Sequence, residues 1–192
     1  MMQKRIRNIE RFCMNPIKTQ EKVFNNLISK GKNTAFGKEH HFNTITKYSH
    51  FKNNIPIRTY EEFSVYIARA RNGEQNVLWP GKIKWFSKSS GTTNAQSKFI
   101  PITKESLHEC HFKGGKDMLS LYGNNFPFSD MYNGKGLMLG GTIKESENGD
   151  YKDGDLSAIL LDEFPFWVNY HRVPDIETAL MEDWEDKLER IA

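Results

Sequence analysis

The chain has 192 residues, 38% of them apolar and 27% charged, which is typical of a folded globular protein long enough to bury a core. Its net charge of +3 is small and dispersed, which argues against nucleic acid or an anionic membrane as partner. Two cysteines exclude a disulfide scaffold, and neither a signal peptide nor a bilayer-spanning apolar window is found. We therefore expect a cytoplasmic protein.

The first eighty residues are predicted to be mainly helical. Thr59 and Glu62 have the spacing of a capping box, in which a hydroxyl and a carboxylate satisfy N–H groups at a helix start. Gly31 stands where a helix C-terminal cap is expected. Asn33–Asn43, which contains two adjacent histidines, is interpreted as a loop. The predicted helices are 19–30, 47–54 and one from Thr59 to about Gly73.

The second half of the chain predicts strands mixed with helices. Thr103 is placed to cap a helix that runs to about Tyr122. Within that helix, Gly114 and Gly115 indicate either a break or a place where another backbone or a ligand comes close. Predicted strands lie at 83–86, 99–102, 135–142 and 156–161, with turn signals at 148–149 and 153–154 and a final helix capped by Asp175. Together these elements predict one compact α/β piece.

The most informative stretch is the polar loop between the first two predicted strands. Four hydroxyl side chains surround Gly91, namely Ser89, Ser90, Thr92 and Thr93, and Lys98 follows. Glycine lets a ligand approach the backbone, successive N–H groups bind anions, and a lysine supplies positive charge for a phosphate. We interpret the stretch as a nucleotide-phosphate loop, although such clusters also occur as ordinary surface loops. It is neither a Walker A loop nor a Rossmann glycine motif.

The loop resembles a known family. Ser89–Thr93 is similar to the phosphate loop of the adenylate-forming enzymes, which include acyl-CoA synthetases and luciferases. Here the loop is one residue longer, with Asn94–Ser97 before Lys98 and Pro101 three residues later. That spacing resembles the GH3 acyl-acid amido synthetase branch, the auxin-responsive GH3-like proteins. Three further blocks match the branch in order and spacing: Asn33–Phe42, Ile55–Tyr60 and Leu78–Gly81.

The resemblance implies a ligase that uses ATP and Mg²⁺. A small carboxylic acid attacks the α-phosphate of ATP, pyrophosphate leaves, and an amino acid captures the acyl-adenylate to form an amide. Asn94 departs from the glycine that is common at that position in the family. The residues that would hold the phosphates are Ser89, Ser90, Gly91, Thr92, Thr93 and Lys98.

The resemblance also implies the fold. Residues 1–192 would be the N-terminal part of an α/β adenylate-forming (luciferase/acyl-CoA synthetase-like) domain, with a mixed sheet and flanking helices. The family's adenine- and ribose-binding motifs and its C-terminal lid domain have no counterpart in this sequence, so we expect an incomplete enzyme. Two alternatives stay open: a non-catalytic interaction or acyl-ligand-binding module, and an acyl-CoA ligase, which the longer loop disfavours.

Other titratable pairs carry weaker signals. Two histidines one helical turn apart without a third ligand do not predict a metal site. Adjacent carboxylates after a strand are usually solvated rather than catalytic. Two neighbouring histidines in the early loop suit a structural or substrate-rim role. These pairs are His108 with His111, Asp162 with Glu163, and His40 with His41.

Overall fold

The computed structural model describes residues 2–89 and 97–192, except for the side chain of Tyr132. The chain divides into two compact units, Gln3–Ile83 and Lys84–Ala192. Residues 3–83 contain helices and no strand, whereas the second unit contains every strand that the structure describes.

The helices of the first part of the chain follow the predicted order, with two additions. A helix at the N-terminus and a short one inside the predicted loop were not expected. Thr59 and Glu62 form the predicted capping box, and the helix that they begin ends before Gly73, whose φ is +85°. The helices are α1 (Met2–Met14), α2 (Pro16–Gly31), α3 (Ala35–Glu39), α4 (Tyr48–Asn54) and α5 (Tyr60–Arg71), with a 3₁₀ turn at Phe42–Thr44.

The prediction of a loop at 33–43 is wrong for its central residues, which form the helix α3. Local capping and close packing stabilise this helix. The Thr34 hydroxyl accepts a hydrogen bond from the Gly37 N–H at 2.9 Å and donates one to the Gly31 carbonyl at 2.7 Å. A Cβ atom at Gly37 would overlap that carbonyl oxygen. Gly31 is therefore a packing position inside α2 and not the predicted cap.

Aromatic rings fill the interior of the first unit. Phe36 makes edge contacts with Phe63 and Tyr66 at centroid distances of 5.6 and 5.3 Å, and His40 packs on it at 4.4 Å. The His40 ring is buried and its Nδ1 lies 3.2 Å from the Asn54 carbonyl oxygen. His40 thus has the structural role that the sequence suggested for it.

The second unit contains a mixed four-stranded sheet and a separate two-stranded one. In the larger sheet the order is β2-β1-β5-β4, with β1 and β5 parallel and the other two pairs antiparallel. The Asn148-Gly149 turn signal correctly placed the hairpin between β4 and β5, and Gly149 has a φ of +67°. The strands are β1 (Trp85–Ser89), β2 (Lys98–Ile102), β3 (Gly136–Leu137), β4 (Ile143–Glu145), β5 (Lys152–Gly154) and β6 (Arg172–Val173).

Helices flank the larger sheet, as predicted for the fold class. The core between them contains Trp85 and Ile102 from the sheet, packed against Leu107, Phe112 and Ile159. A π-turn at Leu107–His111 joins two helical segments after β2. The helices are α6 (Lys104–Ser106), α7 (Phe112–Asn125), α8 (Leu156–Asp162), α9 (Ile176–Ala179) and α10 (Trp184–Ile191), with 3₁₀ turns at Asp130–Tyr132 and Phe166–His171.

Four secondary-structure predictions in this unit are wrong. The turn predicted at 153–154 lies within β5, Lys152–Gly154. Residues 156–161, predicted as a strand, lie in the helix α8. The prediction failed because a short apolar run is compatible with a buried helix as well as with a strand. The run at 135–142 contributes a strand of two residues only, Gly136–Leu137. The final helix is two helices, because Asp183 begins a second one: its carboxylate accepts hydrogen bonds from the Glu185 and Asp186 N–H groups.

Candidate functional site

The predicted phosphate loop begins at the end of β1 and returns in β2. Ser89, the last residue of β1, lies directly opposite Lys98, the first residue of β2, and both are partly buried. Neighbouring strands are about 5 Å apart, so the hydroxyl-bearing and ammonium-bearing residues flank the base of the loop together. Ser90, Gly91, Thr92 and Thr93 lie outside the described residues, and their roles stay predictions.

The loop leaves the sheet at the edge where ligands bind in α/β folds. β1 and β5 run parallel, with Ser87 opposite Gly154. Carboxyl ends of parallel strands share one edge, and crevices outside that edge are the usual binding sites. The same edge gathers the ends of all four strands, which are marked in sheet order by Lys98, Ser89, Asp155 and Thr142.

Asp155 and Thr142 are neighbours at this edge that the sequence reasoning missed. The Thr142 N–H donates a hydrogen bond to Asp155 Oδ2 at 2.9 Å, and the Asp155 N–H donates one to the Thr142 carbonyl at 2.9 Å. A Cβ atom at Gly141 would overlap the Asp155 carboxylate, and one at Gly154 would overlap the Thr142 carbonyl oxygen. The glycines at 140–141 and 154 were the available signal for this close approach.

A helix cap fixes the chain directly after the end of β2. The Thr103 hydroxyl accepts from the Ser106 N–H at 3.0 Å, and the Thr103 N–H donates to the Ser106 hydroxyl at 3.1 Å. The helix continues through Gly114 and Gly115 without a break. An added methyl group at either glycine would meet no described atom within 4 Å, so no described backbone approaches there.

Of the other titratable pairs, Asp162 and Glu163 both accept hydrogen bonds from side chains. Asp162 accepts a hydrogen bond from Lys152 Nζ at 2.6 Å, and this bond raises the pKa of Lys152. Glu163 accepts one from the Trp85 indole N–H at 3.1 Å. Among the described residues no group of three or more His, Cys, Asp or Glu side chains is placed to bind a metal ion. In the same part of the chain no helix has the length and apolar character needed to cross a bilayer.

Comparison with known protein families identifies the family of this chain. Residues 5–192 match the family model described as the GH3 family N-terminal domain. The chain belongs to the GH3 family. The family resemblance that the loop and three other blocks predicted is thereby confirmed.

Known GH3 proteins are similar to the chain over part of their length. Indole-3-acetic acid-amido synthetase GH3.4 of Arabidopsis thaliana is 30% identical over 112 residues, which are 58% of this chain and 19% of that protein. Jasmonoyl--L-amino acid synthetase JAR4 of Nicotiana attenuata is 32% identical over 123 residues, covering 64% of this chain and 21% of that protein. The GH3 chain thus spans about a fifth of these relatives.

A solved structure confirms the fold. The structure of the GH3.15 acyl acid amido synthetase superposes on 94% of this chain with a TM-score of 0.76, and the match covers 31% of that chain. Sequence identity over the match is 21%, so the likeness concerns the fold. The predicted α/β class, with a mixed sheet and flanking helices in the N-terminal region of a GH3 enzyme, is confirmed.

Proposed function

We propose that these 192 residues are the N-terminal portion of an ATP-dependent acyl-acid amido synthetase, which joins a small carboxylic acid to an amino acid through an acyl-adenylate. The observation that carries the proposal is the pairing of Ser89 with Lys98 at the carboxyl edge of parallel strands, at the base of the predicted phosphate loop. Relatives named as amido synthetases support the reaction class. Two exposed free cysteines, Cys13 and Cys110, suit a cytoplasmic enzyme.

The chemistry of the described donors fits a triphosphate. An ammonium group and a hydroxyl group both donate to phosphate oxygens, and the charged donor gives the stronger, shorter hydrogen bond. Ser89 and Lys98 are held in antiparallel register, so both are positioned by the sheet and not by the loop alone. Mg²⁺ bound with the nucleotide would share in neutralising its phosphates.

The role of the chain in the first step is positioning and electrostatic stabilisation. Ser89 would donate its hydroxyl proton to a phosphate oxygen, and Lys98 would hold its positive charge beside the β- and γ-phosphates as negative charge grows on the leaving pyrophosphate. Donors fixed in advance do not reorganise during the reaction, which is why such arrangements lower barriers. Ser90, Gly91, Thr92 and Thr93 would complete the cradle through their hydroxyl and backbone N–H groups. No covalent nucleophile is required.

The test compares two lysines at opposite ends of the β1–β2 strand pair. Lys98→Ala removes the proposed phosphate contact, whereas Lys84→Ala removes an exposed lysine just before β1, at the opposite end of the sheet from the loop. We expect Mg-ATP to raise the melting temperature of the wild type and of Lys84→Ala, and to leave that of Lys98→Ala unchanged. Equal stabilisation of both variants would reject the role of Lys98. No stabilisation of the wild type would favour the interaction-module alternative.

A further inference from the structure

Side chains from two helices hold the turn Gly140–Thr142 at the edge of the sheet. At its start, the Gly140 carbonyl accepts a hydrogen bond from Lys187 Nζ at 2.9 Å, and the Gly140 N–H donates to the Ala179 carbonyl at 3.2 Å. Lys187 is only 1% exposed and its ammonium lies 5.0 Å from the centre of the Trp184 ring. A buried ammonium loses its hydration, so these contacts must replace it.

The other end of the turn is held by Asp155 and Ser157, at the start of α8. The Gly141 N–H donates to Ser157 Oγ at 3.2 Å, and Thr142 exchanges two hydrogen bonds with Asp155. Five of the six backbone N–H and carbonyl groups of the turn therefore have a named partner. A segment without regular structure that is bonded at nearly every polar group is rigid.

The turn lies close to the proposed nucleotide site. Thr142 leads directly into β4, whose Ile143 lies opposite Gly154 of β5, and Gly154 lies opposite Ser87 of β1. The turn is thus two strand spacings, about 10 Å, from the strand that carries the phosphate loop. It stands on the same edge of the same sheet as Ser89 and Lys98.

We infer that Asp155 is a positioning residue of the proposed site: its carboxylate fixes the Gly140–Thr142 turn, and this fixed turn sets the shape of the sheet edge beside Ser89. Lys187 braces the first residue of the turn in the same way. The inference rests on the proposed function. Side chains that fix the surroundings of a site matter because small displacements of a bound substrate cost large factors in binding and rate.

The test uses three variants of the 192-residue chain. Asp155→Ala removes the acceptor for the Thr142 N–H, and Asp155→Asn keeps an acceptor oxygen while removing the charge. Ser146→Ala is the matched control at the far end of the same β4–β5 hairpin, where the Ser146 hydroxyl accepts from the Asp150 and Tyr151 N–H groups at 3.0 and 3.2 Å. Two quantities are measured: hydrogen exchange of the 140–142 amides without ligand, and the dissociation constant of Mg-ATP.

In Asp155→Ala we expect faster exchange at residues 140–142 and Mg-ATP binding weaker by roughly tenfold or more. Asp155→Asn should stay within about threefold of the wild type, and Ser146→Ala should bind normally. If Asp155→Ala does not fold, Ser157→Ala replaces it, because that change removes only the hydrogen bond to Gly141.

Each contrary result has its own meaning. Unchanged exchange at residues 140–142 in Asp155→Ala would overturn the rigid turn, whatever the nucleotide does. Equal loss of Mg-ATP binding in Asp155→Asn would show that charge and not positioning matters. Normal binding in Asp155→Ala would overturn the positioning role while the proposed function stands. No Mg-ATP binding by the wild type would reject the proposed function, and with it a role for Asp155 in that site.

Discussion

Asp162, which the sequence predicted to be a solvated residue at a strand end, forms a partly buried ion pair with Lys152. Lys152 Nζ donates to Asp162 Oδ2 at 2.6 Å, and both side chains keep only 33% and 25% of their surface exposed. The hydrogen bond that Lys152 donates to Asp162 raises the pKa of Lys152 above its ordinary value near 10.5. The carboxylate therefore serves the junction of β5 and α8, not the paired-carboxylate catalysis that the sequence analysis weighed.

Asp162→Asn should lower the free energy of unfolding at pH 7 by roughly 1 kcal/mol or less, because both groups keep some contact with water. A raised lysine pKa contributes stability that is complete below the unfolded pKa and is lost as pH rises through the folded pKa. The difference between wild type and variant should therefore shrink above a pH of about 10.5. Urea unfolding at neutral and alkaline pH measures it, and a difference that grows with pH would contradict the assignment.

At the scale of elements, the helix after β2 shows how local and tertiary signals combine. Thr103 begins it, as its sequence position predicted, and Ser106 completes a capping box that was not predicted. The π-turn at Leu107–His111 was not predicted, since no residue pattern identifies a single wide turn. Gly114 and Gly115 neither break the helix nor contact a described backbone, so each lowers the stability of α7 for no visible packing reason.

Gly115→Ala should therefore raise the free energy of unfolding by about 0.5–1 kcal/mol, since alanine loses less backbone entropy than glycine on folding and its methyl group has space at this position. Gly149→Ala is the matched control, because it also has free space but a φ of +67°. The control should destabilise by about 1–2 kcal/mol. Chemical unfolding of both variants measures the change in the free energy of unfolding, which should be positive for Gly115→Ala and negative for Gly149→Ala. Destabilisation by Gly115→Ala would contradict the free space that the structure shows at this position.

At the scale of the whole molecule, two compact units carry a GH3 N-terminal domain. The match to the GH3.15 structure covers most of this chain and 31% of that one. The chain covers 19% of GH3.4 and 21% of JAR4, so a whole synthetase has residues that these matches do not include. We propose that the phosphate loop and its sheet edge are the share of the site that these residues contribute.

On that basis, ATP–pyrophosphate exchange by the 192-residue chain should be weak or absent, even where Mg-ATP raises its melting temperature. Binding of the phosphates alone does not align the acid with the α-phosphate, and alignment supplies much of the rate. Exchange of radiolabelled pyrophosphate into ATP, with a panel of small carboxylic acids, measures the activity. Exchange at the rate of an intact synthetase would contradict the proposal that the site is shared with further residues.

Local signals in the sequence determined much of this protein. Helix caps at Thr59 and Thr103, the hairpin turn at Asn148-Gly149 and the phosphate-loop resemblance were all readable, because each depends on neighbouring residues. The apolar run at 156–161 was not readable, since helix and strand bury such a run equally well until the sheet is assembled.

Only the tertiary structure decided which residues share the sheet edge. Asp155 and Thr142 join Ser89 and Lys98 there through the pairing of β1 with β5, in which Ser87 lies opposite Gly154. Such pairings depend on long-range burial and register, which no local pattern encodes. The loop motif was therefore visible in the sequence, whereas the residues that share its sheet edge required the fold.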